Sequence, residues 1–423
     1  MRKLLLATTA LFGSVALAGA AHAAPAQSSP ITLNVGGYVD FVAGFYHEAQ
    51  GTVSAANPND VKRTSRDFES EFKLNFDALG KASNGMQYGA NISLWNGPEA
   101  GNIWQGGANS VTLNSAYVWL SGAFGKTMLG DSHGASDLFV YAPTVGEGQI
   151  DGRYMDFVSA RTLARMYASG IDNTEHSTNI TYYTPKVGND DHKVQLGVSY
   201  APNMYDYGSN IIKSDNVSIG TTPSTTRTIS PYQDIVKGAV AYTGNFHPVN
   251  LAASAQIITG SSSSIALAST TLGGAGSGAV ATPAGTAQDF TAWGIGTQVG
   301  FAGFTVGASY NDLGRYNTAH GQNKSQTNFT LGGKYEFDKV AVGVSWLNGE
   351  GYNNLSTSAN SFATTTTQTN YVSSLNAYGA GAAYTWFPGL TSNVDGVWFN
   401  QDQRDKRDHN DGYVLLLSQK MTF

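Results

Sequence analysis

Cysteine is absent from the 423 residues, which excludes disulfide staples, thiolate nucleophiles and cysteine metal ligands together. Charge is scarce: Asp, Glu, Lys and Arg make up 13%, so the long polar side chains that dominate soluble helices are few. Basic residues are outnumbered 24 to 30, and a net charge of -6 argues against nucleic acid as a partner. Beyond the N-terminus no apolar run is long enough to cross a bilayer as a helix. Catalytic signatures are missing as well. There is no G-x-S-x-G elbow, no H-E-x-x-H, no phosphate-binding loop and no histidine pair at metal-ligand spacing. The sequence predicts no enzyme, no cofactor and no metal site.

What the chain does have is glycine, aromatics and alternation. Fifty glycines and 11% aromatic residues suit strands joined by tight turns. Arg2 and Lys3, the apolar run Leu4 to Leu17 and the small-residue site Ala21-His22-Ala23 read as an export signal, residues 1–23, cleaved after Ala23. Residues 24–423 then form one domain. In the stretch Phe68 to Asp77, Phe68, Phe72, Leu74 and Phe76 alternate with Glu69, Glu71, Lys73, Asn75 and Asp77. At the C-terminus Tyr413, Leu415, Leu417, Met421 and Phe423 oppose Ser418, Lys420 and Thr422, while Val414 and Leu416 intrude on the polar face.

Period-two segments recur at Ile31–Tyr46, Phe68–Asp77, Met86–Trp95, Val111–Leu120, Lys126–Asp131, Asn179–Thr184, Lys193–Tyr200 and Asp234–Thr243. They continue at Asn250–Thr259, Phe290–Val299, Thr305–Tyr310, Asn328–Phe337, Val340–Trp346, Tyr378–Trp386, Thr391–Phe399 and Tyr413–Phe423. This gives sixteen predicted strands, an even number whose ends can pair and leave no edge. A mean hydropathy of -0.20 fits a membrane-spanning chain if one face of each strand meets water. The predicted fold class is all-β, a transmembrane antiparallel up-and-down β-barrel. Short turns alternate with long connections, among them Glu48 to Ser65, His133 to His176, Gly260 to Gln288 and Gly349 to Ser373. Tyr154 to Ser169 is assigned to a loop, because a seventeenth strand would break the even count. Aromatics near strand ends, such as Trp293, Tyr310, Trp346, Trp386, Trp398 and Tyr413, read as interfacial girdles. The charge-dense run Asp402 to Asp411 reads as a self-neutralising solvated loop rather than a calcium site.

The signal, Gly37-Tyr38-Val39-Asp40, Gly125-Lys126-Thr127-Met128-Leu129-Gly130-Asp131, Tyr183-Thr184-Pro185 and the terminal Phe423 together resemble a Gram-negative general porin, of alphaproteobacterial type. The resemblance spans the mature chain and rests on the order of short motifs. It implies a homotrimer in the outer membrane that passes ions and small hydrophilic solutes by passive diffusion. It also implies an inward-folded third external loop, and a C-terminal strand ending on Phe423 that the barrel-insertion machinery recognises.

The loop in that position is His133 to His176, with Asp137, Glu147, Asp151 and Asp156 among its acids and Arg153, Arg161 and Arg165 as its bases. The family sets loop acids across from basic wall residues, although the enterobacterial Pro-Glu-Phe-Gly-Gly motif is absent here. Parity turns Asp40, Glu69, Glu71, Lys73, Lys193, Lys237, Lys334 and Lys420 inward. Arg63 and Arg66 stand at the external end of the second strand. The resemblance implies that both are lumen-wall residues, although Arg66 shares parity with the lipid-facing Phe68 and needs loop geometry or a bulge to turn inward. The inward acids predict a mild cation preference. The rival readings are a substrate-specific outer-membrane channel, disfavoured by the scarcity of inward aromatics, and an exported surface adhesin.

Overall fold

A computed structural model describes residues 31–49, 64–96, 111–150, 152–158, 177–204, 232–262, 288–316, 326–351, 373–403 and 410–423. The strands are β1 Thr32–Glu48, β2 Arg66–Lys81, β3 Gln87–Trp95, β4 Thr112–Gly122, β5 Gly125–Asp131, β6 Thr178–Tyr183 and β7 Val187–Gly188. They continue with β8 His192–Asn203, β9 Tyr232–Asn245, β10 Asn250–Ser262, β11 Phe290–Phe301, β12 Phe304–Asp312 and β13 Gln326–Phe337. The last four are β14 Val340–Gly351, β15 Ser373–Phe387, β16 Leu390–Gln403 and β17 Asn410–Thr422.

All seventeen belong to one antiparallel sheet in which strands adjacent in sequence pair, β6 and β7 excepted. They make sixteen staves, because β6 and β7 are two halves of one stave along β8. Pro185, which has no N–H to donate, lies between the halves. Every one of the sixteen predicted strands is present. Of the stretch Tyr154 to Ser169, Tyr154–Phe157 is a single helical turn, and residues 159–169 lie outside the described residues.

The sheet closes where β1 pairs with β17, from Tyr38 opposite Thr422 to Glu48 opposite Gly412. Phe423 adds one more rung: its N–H donates to the Gly37 carbonyl at 3.0 Å, and the Gly37 N–H donates back at 2.9 Å. With β1 also paired to β2, the first and last strands have partners on both sides and the sheet closes on itself.

The turns show why these residues reverse the chain. Ala302 and Gly303 both have positive φ, 48° and 85°, as a two-residue hairpin between right-twisted strands requires. In Phe387-Pro388-Gly389-Leu390, proline precedes a glycine at φ 87°, the pattern of a type II turn.

Burial is inverted relative to a water-soluble protein. Phe68 is 66% exposed, Val344 62% and Trp398 57%, whereas Asp40 on the other parity is 0% exposed. The apolar parity faces lipid and the polar parity faces the interior. The outward aromatics line up laterally. Trp346, Tyr378, Trp398, Tyr413 and His47 are successive register partners across β14, β15, β16, β17 and β1. At the opposite rim Phe304 stacks on Tyr335 at 4.2 Å and Tyr384 packs edge-on to Trp386 at 4.7 Å. These rows are the two girdles expected at the membrane interfaces.

Deleting Phe423 removes the last rung of the closing seam. We expect a reduced fraction of heat-modifiable, SDS-resistant barrel, while the channels that do assemble keep wild-type unit conductance. Normal barrel yield for the truncation would show that the rung is dispensable.

Candidate pore constriction

Leaving β5, residues 132–158 run against one inner-facing position after another. Lys237 Nζ donates to the His133 carbonyl at 2.9 Å, and Ser199 Oγ accepts from the Ala135 N–H at 3.2 Å. Val140 N–H then donates to Ser254 Oγ at 2.7 Å, and Gln298 Nε2 donates to the Tyr141 carbonyl at 2.7 Å. Farther on, Gln149 donates to Asp395 Oδ1 at 2.9 Å and accepts from Ser345 Oγ at 2.8 Å. Inward glycines admit the segment's backbone. A Cβ on Gly296 would lie 1.7 Å from the Val140 carbonyl oxygen, and one on Gly332 would lie 2.0 Å from that of Pro143.

The far end of the segment meets an apolar pad. Ile150, Tyr154, Met155, Phe157 and Val158 cluster with Val42 and Tyr46 of β1, Leu347 of β14, Leu375 of β15, Val397 and Phe399 of β16, and Val414 and Leu416 of β17. Val414 and Leu416 therefore do not blur a water-facing surface; they are covered by the segment. Transfer of such side chains from water stabilises the docked segment by roughly 25 cal/mol for each Å² of apolar surface covered.

Arg153 ends this run among carboxylates. Its Nη2 lies 3.2 Å from Asp40 Oδ2, 2.9 Å from Glu71 Oε2 and 3.6 Å from Glu147 Oε2, and its Nη1 lies 3.7 Å from Glu69 Oε1. Glu147 also pairs with Lys420, whose Nζ sits 4.1 Å over the Tyr38 ring, and the Tyr38 hydroxyl donates to Glu71. Sheet register creates half of this cluster, because Lys420, Asp40 and Glu71 are lateral neighbours across the closing seam. Desolvation alone would raise the Glu147 carboxyl. Its side-chain hydrogen bonds and the charges of Lys420 and Arg153 outweigh that and hold it below the usual carboxylate range.

Beside the cluster a cavity of about 440 Å³ lies between the β1–β5 wall and the start of the segment. Tyr38, Lys73, Asn75, Asp77 and Tyr117 line it from the wall, and Ser132, His133 and Asp137 face them. A hydrogen-bonded ladder crosses its floor: Ser115 Oγ donates to Asn91 Oδ1 at 2.8 Å, and Asn91 Nδ2 donates to Asp77 Oδ1 at 2.8 Å. The cavity is thus walled by polar side chains inside a closed barrel. Among the described residues no group of three or more His, Asp and Glu could hold a metal ion.

The profile of the Gram-negative porin family matches residues 7–404. The chain belongs to that family. It is accordingly a non-enzymatic channel protein of the outer membrane. Solved structures agree in fold. Salmonella typhi OmpF in complex with daunomycin gives a TM-score of 0.56 at 14% identity, covering 92% of this chain and 97% of that one. The loop L8 deletion mutant of Vibrio cholerae OmpT gives 0.55 at 11% identity, over 93% of this chain and 100% of that one. The anion-selective porin of Comamonas acidovorans gives 0.53 at 13% identity, over 93% and 100%. No curated protein matches the sequence.

In this porin six of the residues nominated by parity or loop position come together: Asp40, Glu69, Glu71, Glu147, Arg153 and Lys420. Glu147 of the segment faces Lys420 of the wall, a loop acid against a wall base. Beside that pair a segment arginine enters a nest of wall carboxylates of the opposite polarity. Lys73 and Asp137 lie at the cavity, and Asp156 sits in the helical turn after Arg153. Lys237 holds segment backbone. Lys193, 3.8 Å from Asp190, and Lys334, 2.9 Å from Glu336, pair near the short turns instead. An inward Arg66 is not supported. It is exposed, and it pairs with the outward Phe45 in a register without a bulge. Arg63, Asp151, Arg161 and Arg165, the signal sequence and the run 404–409 lie outside the described residues. Sequence reading missed Gln149 and Asp395 as docking partners, and the Asn91–Ser115 ladder.

Gly332 and Gly333 offer a paired test of segment docking. A Cβ on Gly332 meets the Pro143 carbonyl, whereas one on Gly333 has Val306 Cγ2 at 3.8 Å as its nearest neighbour. Gly332→Val should destabilise the barrel by about 1–3 kcal/mol in urea unfolding and alter unit conductance. Gly333→Val should do neither. Equal behaviour of the two variants would mean that the segment is not pressed against this track.

Proposed function

We propose that this porin is a passive channel for ions and small hydrophilic solutes, that residues 132–158 narrow its lumen, and that the cavity along β1–β5 is the open path. The observation that carries the reading is the polar cavity left beside the docked segment inside a closed barrel. Its wall of Asn, Ser and Tyr suits hydrated solutes, and among the described residues it gives no continuous aromatic track for a single substrate.

A mild cation preference follows from charge placement. The cavity is lined by Asp77 and Asp137 against Lys73. In the adjoining cluster the carboxylates Asp40, Glu69, Glu71 and Glu147 outnumber Arg153 and Lys420. A narrow, poorly screened lumen turns that excess into selectivity. The Comamonas porin shares the fold and is anion-selective by its own description, so in this architecture the lining and not the barrel sets the sign. The likeness to alphaproteobacterial members, the homotrimer, cleavage after Ala23 and delivery by the insertion machinery through the C-terminal strand complete the proposal on the strength of the sequence motifs.

Reversal potentials in a salt gradient across planar bilayers test it. One charge about 7 Å from the ion path in water-like surroundings is worth about 0.6 kcal/mol, roughly a threefold bias. Asp77→Asn and Asp137→Asn should each lower the cation-to-anion permeability ratio by up to that factor. Wild-type anion preference, or unchanged ratios in both variants, would move the open path elsewhere.

A further inference from the structure

We propose that Arg153 is a positioning residue for conduction, holding the far end of the 132–158 segment against the closing seam and so fixing the edge of the open path. The proposal rests on the reading of that segment as the element that narrows the lumen. Arg153 is 8% exposed, and its guanidinium reaches carboxylates on three elements: Asp40 on β1, Glu69 and Glu71 on β2, and Glu147 on the segment itself. A planar group with five donors can bridge several carboxylates where a single ammonium cannot span them all. The pocket it fills is built by the wall, and the residue that fills it comes from the segment, which makes the contact a tie between the two.

Two relays carry the position of Arg153 to the cavity. Through Glu71 it sets the acceptor for the Tyr38 hydroxyl, and Tyr38 lines the cavity. Through Glu147 it sets the partner of Lys420, which covers the Tyr38 ring. Releasing Arg153 frees Tyr38 and Lys420 together at the edge of the path. It also takes the guanidinium away from Asp40 and Glu71, 0% and 5% exposed. The far end of the segment then keeps the apolar pad and the Gln149–Asp395 hydrogen bond but loses its charged tie to β1 and β2, and a hydrophobic contact fixes distance but not orientation.

Single-channel recording separates this role from a plain charge effect. Arg153→Gln should raise the occupancy of brief closures by roughly tenfold, the change expected on losing one charge-assisted hydrogen bond, and should shift the reversal potential toward cations. Arg153→Lys should restore the wild-type reversal potential but only part of the quiet current. The chain has no cysteine, so a single tether can be installed cleanly. A Cβ on Gly148 would lie 2.8 Å from Leu416 Cδ1. In Arg153→Gln carrying Gly148→Cys and Leu416→Cys, oxidation should silence the closures without moving the reversal potential back, and reduction should return them. Should Arg153→Gln fail to assemble, Arg153→Gln/Glu71→Gln, which also removes a stranded buried carboxylate, takes its place: the closures should rise and be silenced by oxidation as above, while the reversal potential, with one charge of each sign removed, should stay near wild type. A current as quiet as wild type in the untethered variant, or closures that persist after oxidation, would overturn the positioning role. If Asp137→Asn still shifts selectivity in that case, the constriction reading survives and only the role of Arg153 falls.

Discussion

Hydrocarbon offers no hydrogen bonds, so a strand in lipid must find partners on both sides for every backbone N–H and C=O. Pairing β1 with β17 is how this chain meets that requirement. The remaining features depend on it. Closure forces alternate side chains to opposite worlds, which explains a membrane protein with a mean hydropathy of -0.20. It also brings together residues from the two ends of the chain. Lys420 stands beside Asp40 because the seam has that register, and a one-residue slip would turn Lys420 into lipid.

Inside the barrel a second requirement operates. A segment that docks on a wall of polar side chains would meet a water-wetted surface with little to gain. The wall is therefore modified where the segment lies. Glycines at 296 and 332 let backbone approach backbone, and Val414, Leu416, Val397 and Phe399 give its far end an apolar seat. The wall on β2–β4 keeps Asn75, Asp77, Asn91 and Ser115, and it is there that the cavity remains. Departures from strict alternation thus mark the docked sector, and adherence to it marks the open one.

This difference also explains what could be read from the sequence. Period two is a local property, so all sixteen staves were legible from windows of ten residues or so. The members of the charge cluster were legible one at a time, since parity alone turns Asp40, Glu69, Glu71 and Lys420 inward. Their assembly around Arg153 was not, because it needs the course of the segment. Gln149 meets Asp395 across 246 residues, a contact with no local signature. Val414 and Leu416 looked like noise in an alternating pattern until the segment that covers them was placed. Arg66 shows the opposite case: its parity pointed outward from the start, and the register leaves it there.

Charge count and charge effect separate in the same way. The Arg153 cluster gathers six charged groups, yet they lie within 4 Å of opposite partners and are largely withdrawn from water. Paired charges of this kind present to a passing ion a field that falls off much faster than that of a lone charge. Asp137, 47% exposed at the cavity, has a weaker partner in His133 at 3.8 Å. A few half-exposed groups at the opening can therefore outweigh a larger buried set in deciding which ions pass. The buried set adds its excess of carboxylates to that bias and acts also on shape, by keeping the opening where those few groups can be felt.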